Sequence, residues 1–176
     1  MTFIQLIPTM NRTLPLLAVA ASLFLAGCAG TRQYLPMPDQ SKAVEDPAKG
    51  RIYVIRPSSF GGAVGMNVSD GGNPVGSTGP GGFLCWEREP GDVVVSSTSE
   101  NTSRVSLAVR PGTVHYILQS IRMGIWIART ELEVIDEEKG KKELQHCKPA
   151  KVENPPKVEK VEQKTDQKAE PPPEKK

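Results

Sequence analysis

Short runs in which apolar and polar residues alternate, with turn signals between them, constrain the fold of this chain more than any other feature. In "SRVSLAVRPG", residues 103–112, Val105, Leu107 and Val109 alternate with smaller or polar residues. This period of two is typical of an antiparallel strand with one buried face. Similar runs recur at roughly ten-residue spacing, which predicts an all-β fold: a single β-sandwich of about seven short antiparallel strands.

Three local patterns add detail to this prediction. The run "RIYVIRP" is a strand with Ile52 and Val54 on one side and Tyr53 and Ile55 on the other. The "DGGN" sequence at 70–73 supplies the positive-φ residues that a tight hairpin turn requires. The polar segment "EEKGKKELQHC", with Leu144 as its apolar anchor, indicates a short helix.

The N-terminus has the layout of an export signal. From Leu14 to Gly27 the chain runs for 14 residues without a charge, and Arg12 precedes this run. The run is too short for a membrane-spanning helix, which needs about 20 apolar residues. Export is therefore the better interpretation, with Met10 as an alternative start to Met1.

The apolar run ends in "LAGC", which resembles the bacterial lipobox. In lipoproteins with this motif the cysteine thiol is acylated and the signal is cut immediately before it. The resemblance implies that residues 1–27 are a lipoprotein signal peptide and that acylated Cys28 binds the chain to the bilayer. A plain secretory signal or a core cysteine is the alternative. Ala29 follows, whereas an Asp there resembles an inner-membrane retention mark, so we expect the outer membrane.

Composition divides the mature chain into three parts. Residues 28–46 hold the lipidated cysteine and a polar, proline-bearing stretch, predicted to be an extended tether. Residues 47–147 are the β-sandwich domain, long enough for one core. Residues 148–176, rich in Pro, Lys and Glu and without an aromatic residue, cannot bury enough apolar surface to offset their ordering entropy. We expect this tail to be disordered.

Charge and cysteine content limit the partners and the compartment. The formal net charge of +2 is too small and too mixed in sign to favour nucleic acid. Once Cys28 is acylated, Cys85 and Cys147 form an even pair in an exported chain, which favours a disulfide. Two buried thiols or a redox-active pair are the alternatives, although no C-x-x-C spacing supports redox activity.

Four stretches carry a family resemblance: "GRIYVIRPSSFGGAV", "VSDGGNPVGSTGPGGFLCWEREPGDVVVSS", "RVSLAVRPGTVHYILQSIRMG" and "TELEVIDEEKGKKELQHCK". Together they resemble a domain-of-unknown-function family of bacterial lipoproteins, itself similar to the PEGA surface domains. The resemblance covers roughly residues 50–148. It implies an immunoglobulin-like or PEGA-like sandwich and an envelope location. The family carries no established activity, so the resemblance does not name a function.

The domain offers little material for catalysis or metal binding. His115 and His146 are its only histidines, and His146 with Cys147 gives two ligands where zinc needs three or four. No G-x-S-x-G elbow or phosphate-binding G-K-[ST] loop is present. The sequence therefore predicts no catalytic residue, no metal and no cofactor. Trp86 and Trp126 are the candidate binding residues, although core packing is the favoured interpretation of both.

These observations predict a non-enzymatic envelope lipoprotein, anchored in the outer membrane through Cys28 with its domain in the periplasm. One alternative is a module that binds peptidoglycan or an envelope protein through exposed aromatic residues. A second alternative is an envelope enzyme.

Overall fold

The computed structural model describes residues 30–60, 64–126 and 128–154. Eleven strands and one helix lie within these ranges. The strands are β1 Arg32–Gln33, β2 Gly50–Arg56, β3 Met66–Asp70, β4 Asn73–Thr78, β5 Gly82–Arg88, β6 Gly91–Thr98, β7 Thr102–Val109, β8 Val114–Met123, β9 Ala128–Ile135, β10 Lys148–Pro149 and β11 Lys151–Val152. The helix, α1, is Glu137–Leu144.

The strands form two mixed sheets packed together. Sheet A has the order β11-β1-β4-β3-β6-β7, and sheet B has the order β10-β5-β2-β8-β9. The β2–β8, β5–β10 and β1–β11 pairs are parallel, and the others are antiparallel. The predicted mostly-β, sandwich-like architecture is confirmed. The prediction of an all-antiparallel arrangement is wrong, because a parallel pair lies at the centre of sheet B.

Strand β2 is buried at all seven of its residues. Ile52 and Val54 belong to the core between the two sheets, whereas Tyr53 and Ile55 belong to a second apolar cluster on the outer face of sheet B. The predicted division of this strand into two faces is confirmed. The predicted "DGGN" hairpin is also present, since Gly71 and Gly72 between β3 and β4 have φ of 55° and 88°.

Helix α1 covers part of the outer face of sheet B. The Asp136 side chain caps it by accepting a hydrogen bond from Lys139 N at 2.8 Å. Gly140 is the buried residue of the helix and lies against the ring of Tyr116. That ring in turn stacks on Tyr53, with centroids 5.3 Å apart. The helix predicted from the polar segment is therefore present.

Residues 30–46, predicted to be an extended tether, instead pack on the domain. Gln33 is fully buried, and its side-chain amide pairs with the backbone of Cys85. Gln33 Oε1 accepts from Cys85 N at 2.8 Å, and Gln33 Nε2 donates to Cys85 O at 2.7 Å. Strand β10 pairs with β5 only at Gly82 and Phe83. The Gln33 side chain bonds the backbone groups of Cys85, further along the same edge of β5. The predicted boundary at residue 47 lies too late in the chain.

A buried ion pair fastens the following segment, residues 39–46. The fully buried guanidinium of Arg51 donates through Nε at 2.9 Å and Nη2 at 2.8 Å to Glu87 Oε1. It also donates to the carbonyl oxygens of Asp39 and Lys42. The Glu87 carboxylate accepts from the backbone N–H groups of Glu45 and Asp46, at 2.6 and 3.0 Å.

The ionisation of Glu87 is coupled to this contact. Burial opposes the charged form, but the hydrogen bonds from Glu45 N and Asp46 N and from Arg51 outweigh it, so the pKa of Glu87 is lowered. The charged pair therefore stabilises the folded chain at neutral pH.

The start of the predicted tail is also part of the fold. Lys148 and Pro149 pair in parallel with Gly82 and Phe83, and Lys151 and Val152 pair with β1. Strands β10 and β11 thereby extend one edge of each sheet. The residues of the predicted tail from 155 onward lie outside the described part of the chain.

The predicted disulfide is absent: Cys85 and Cys147 are free thiols. Strand register explains why. Lys148 lies opposite Gly82, so Cys147 lies near the level of Gly81, four residues from Cys85. At about 3.3 Å per residue this separation is roughly 13 Å, whereas a disulfide needs Cα atoms within about 7 Å. Both thiols instead contact the outer apolar cluster.

We expect Glu87→Gln to lower the free energy of unfolding by about 3 kcal/mol at neutral pH, because it leaves the Arg51 charge buried without its counter-charge. The stabilisation from a carboxylate with a lowered pKa is present above its ordinary value of 4.5 and is lost as the pH falls through the folded value. Urea unfolding at several pH values measures both effects. In the variant, the free energy of unfolding should depend less on pH in the acid range. Glu131→Gln, which breaks the exposed pair with Arg122, is the control and should have little effect. Equal losses in the two variants would contradict this role for Arg51–Glu87.

We expect Gly140→Ala to destabilise the protein, although alanine is the better helix former. A Cβ at this position would lie 2.3 Å from the Tyr116 ring. Overpacking costs about 1–3 kcal/mol, more than the gain of up to ~1 kcal/mol from helix propensity. Thermal unfolding compares this variant with Glu138→Ala on the exposed side of the same helix, which should change stability by no more than about 0.5 kcal/mol. A more stable Gly140→Ala protein would mean that α1 does not pack this closely.

We expect both thiols to react slowly with iodoacetamide at pH 8 in the folded protein, with Cys147 reacting faster than the fully buried Cys85. Burial, with a smaller effect of Glu143, raises the pKa of Cys147 to about 11, and burial raises that of Cys85. In urea without reductant both should be alkylated rapidly, as intact mass would record. A requirement for reductant in urea would reveal a disulfide and contradict the free thiols.

Candidate functional site

The two candidate tryptophans occupy opposite environments. Trp86 on β5 is 1% exposed and belongs to the core between the sheets. Its Nε1 donates to Asp70 Oδ2 at 2.7 Å, and Asp70 Oδ1 accepts from Arg88. Core packing, the favoured interpretation of Trp86, is confirmed. Trp86 is therefore not an exposed binding residue, because the strand places the indole in the core and its polar atom is already paired.

Trp126 lies in the loop between β8 and β9 and is 90% exposed. Ile125 beside it is 80% exposed, and Met123 at the end of β8 is 82% exposed. Three large apolar side chains in four consecutive positions are unusual for a hairpin loop facing water. We call residues 123–126 the apolar loop.

Hydrogen bonds hold the apolar loop in this exposed conformation. Glu100, in the turn between β6 and β7, accepts from Ile125 N at 3.0 Å through Oε1 and from Trp126 N at 3.1 Å through Oε2. The neighbouring Ser99 hydroxyl donates to Ala128 O. Residues of the β6–β7 turn thus hold the backbone within the loop and just after it. The side chains of Met123, Ile125 and Trp126 belong to neither apolar cluster.

Strand directions place the apolar loop at the same end of the sandwich as Gly30, the first described residue. Strand β8 runs parallel to β2 and continues past the end of β2 at Arg56. Arg56 lies opposite Gly82, the first residue of β5. The turn before Gly82 contacts Thr31, whose Oγ1 accepts from Gly79 N at 2.9 Å. We call this end the Gly30 end.

The Gly30 end also carries several basic side chains, an ion pair and a second exposed aromatic residue. A surface cleft of about 410 Å³ is lined by Gly30 together with the basic residues Arg32, Lys148 and Lys151. Arg32 pairs with Glu153 at 3.8 Å, and both side chains remain about half exposed. Phe60, in the loop after β2, is 50% exposed. Arg56 Nη2 donates to its carbonyl at 3.2 Å and so fixes the backbone of that loop.

Below the apolar loop lies a buried polar cluster that joins the two sheets. Gln119 Nε2 donates to Ser97 Oγ at 2.6 Å and to Thr130 Oγ1 at 3.3 Å, and Thr78 donates to Gln119 Oε1. All four side chains are buried and bonded to one another. The cluster therefore holds the sheets together and presents no group to a ligand.

The titratable groups do not converge on a cleft. His115 on β8 lies 3.2 Å from Thr113 Oγ1, and burial lowers its pKa. His146 is exposed after α1. In the part of the chain that the structure describes, no group of three or more His, Cys, Asp and Glu residues has an arrangement that could hold a metal ion. Within the same ranges, no helix is long and apolar enough to span a membrane.

Sequence reasoning identified Trp126 but missed the residues that surround it. Met123 and Ile125 end one strand-like run and begin the next in the sequence, where apolar residues need no special explanation. The usable signal was the run "MGIWI", residues 123–127, in which a glycine marks the end of a strand while apolar residues continue. Hairpin loops are normally polar, so this run departs from the usual pattern.

Comparison with known proteins gives a distant relative but no function. No family model matches the chain. Cys28, the predicted lipidation site, lies outside the described residues. The chain is similar to an uncharacterized protein of Haemophilus influenzae (strain ATCC 51907 / DSM 11121 / KW20 / Rd), with 25% identity over 134 residues that cover 72% of this chain and 77% of that protein.

Proposed function

We propose that this protein is an envelope lipoprotein, exported by residues 1–27 and anchored in the outer membrane by acyl chains on Cys28. The observation that carries the proposal is the lipobox-like "LAGC" directly after an apolar run of signal length. More than one acyl chain gives stable membrane attachment, whereas a single chain binds reversibly. The domain then faces the periplasm.

The position of Gly30 supports this assignment. Contacts with the sandwich are present at Thr31, three residues after Cys28, at an end with a cleft lined by Arg32, Lys148, Lys151 and Glu153. An anchor on Cys28 would therefore hold the sandwich close to the bilayer, because three residues span at most about 11 Å. The finer fold assignment, an immunoglobulin-like or PEGA-like sandwich of a lipoprotein family, is part of the same proposal.

We further propose that the sandwich is non-catalytic and acts as a structural or interaction module. The described histidines lie on separate elements, and the polar groups of the core are bonded to one another. General acid and base catalysis requires groups brought together with matched pKa values. Such a module needs no cofactor.

A second candidate is a module that binds peptidoglycan or an envelope protein through exposed aromatic residues. The exposure of Trp126 favours it, and the burial of Trp86 restricts it to one tryptophan. Retention of the purified protein on isolated sacculi, lost in Trp126→Ala and kept in a surface variant such as Glu138→Ala, would support this candidate.

For the anchor, we expect wild-type protein from membranes to have the mass of a chain that begins at Cys28 plus its acyl groups. Cys28→Ala should lack the added mass and be absent from the outer-membrane fraction, because the thiol that accepts the lipid is gone. Intact mass spectrometry and fractionation measure both. Cys147→Ala is the matched control and should keep the lipid. A soluble wild-type chain with an unmodified Cys28 would overturn the proposal.

A further inference from the structure

We propose that the Gly30 end of the sandwich rests on the membrane and that the apolar loop inserts Met123, Ile125 and Trp126 into the bilayer interface. This inference rests on the proposed lipid anchor and adds a second, non-covalent contact with the same membrane. The occupant of the exposed apolar surface is thus a lipid surface containing anionic headgroups.

The first argument is position. An acyl chain on Cys28 enters the bilayer within about 7 Å of Gly30. Thr31 contacts the turn that begins β5, and β5 is separated from β8 by β2 alone. At about 4.8 Å between neighbouring strands, β8 lies roughly 10 Å away across the sheet. A membrane that holds Cys28 therefore meets the apolar loop as well.

The second argument is the distribution of exposed apolar side chains. In the described ranges, the exposed large apolar residues are Phe60, Val94, Met123, Ile125, Trp126, Val134 and Val152. The two aromatic members, Phe60 and Trp126, lie in loops at the Gly30 end. The three valines are separate residues within strands. At the opposite end Val94 lies beside the 71–72 turn, where Gly71 N donates to its carbonyl oxygen at 3.1 Å. The adjacent exposed apolar residues Met123, Ile125 and Trp126 are at the Gly30 end.

The third argument is chemical. Tryptophan is enriched at the membrane–water interface, where its ring lies at the level of the headgroups. Arg32, Lys148 and Lys151 lie around Gly30, and the exposed Arg129 follows the loop at the start of β9. Glu153 offsets the charge of Arg32, and the Glu100 carboxylate is bonded to the loop backbone, so Lys148, Lys151 and Arg129 provide the positive charge near that level. Basic groups close to a membrane surface are attracted by anionic headgroups. Exposed apolar side chains next to basic residues therefore suit binding to the surface of an anionic membrane.

The test measures tryptophan emission from the full mature protein, purified from membranes and reconstituted in vesicles of phosphatidylethanolamine and phosphatidylglycerol. In vesicles with brominated acyl chains, we expect Trp126 to be blue-shifted and to lose most of its emission, and to resist quenching by aqueous iodide. Trp86 is an internal reference, since it is buried near Asp70 towards the opposite end. Trp126→Phe should remove the lipid-quenched emission and leave the Trp86 signal unchanged.

The outcomes separate the two proposals, because mass reports the anchor and quenching reports the loop. Acylated protein in which iodide still quenches Trp126 and brominated lipid does not would overturn the membrane contact and leave the anchor intact. An unmodified Cys28 together with unquenched Trp126 would overturn both. Protection of Trp126 only after sacculi or an envelope protein is added would also overturn the membrane contact, in favour of a macromolecular partner.

Discussion

The rest of the structure depends on the complete burial of β2. A strand buried on both faces requires sheet B to be covered twice, by sheet A on one side and by α1 with the N-terminal segment on the other. Its two ends carry the buried arginines Arg51 and Arg56. Because an unpaired buried charge is very costly, the groups that bind these guanidinium ions must be in place whenever the strand is. Those groups are Glu87 and carbonyl oxygens of residues 39, 42, 60, 64 and 78.

The two arginines therefore hold the segments that flank β2 against the domain. Arg51 holds residues 39–46 against sheet B, and Arg56 holds the loop that carries Phe60. With the N-terminal segment packed in this way, the chain has no long free stretch between Cys28 and the sandwich. Under the proposed anchor, the domain stays close to the bilayer, and the Gly30 end faces it.

Local patterns were enough to predict the strands, their faces and the turn at 70–73, because alternation and positive-φ residues act over a few neighbours. They could not predict the parallel pairing of β2 with β8, which joins residues about 60 positions apart. Local patterns also could not predict the packing of residues 30–46, because it too depends on contacts between distant positions. Its composition is that of a linker, while its stability comes from contacts such as Gln33 with Cys85, 52 positions away. The predicted disulfide is wrong because strand register separates the two cysteines, and the number of cysteines carries no information about register.

The two tryptophans show how far residue type alone can identify a candidate site. Trp86 lies on a strand with both faces covered, so its ring is used by the core and its Nε1 by Asp70. Trp126 follows the last residue of β8 by three positions, beyond the reach of either apolar cluster. Its backbone and that of Ile125 are nevertheless fixed by Glu100. A loop already ordered before it meets a surface loses less conformational entropy on binding than a mobile one. Under the proposed membrane contact, the carboxylate of Glu100 contributes without touching lipid, because it holds the loop backbone in the conformation that exposes the apolar side chains.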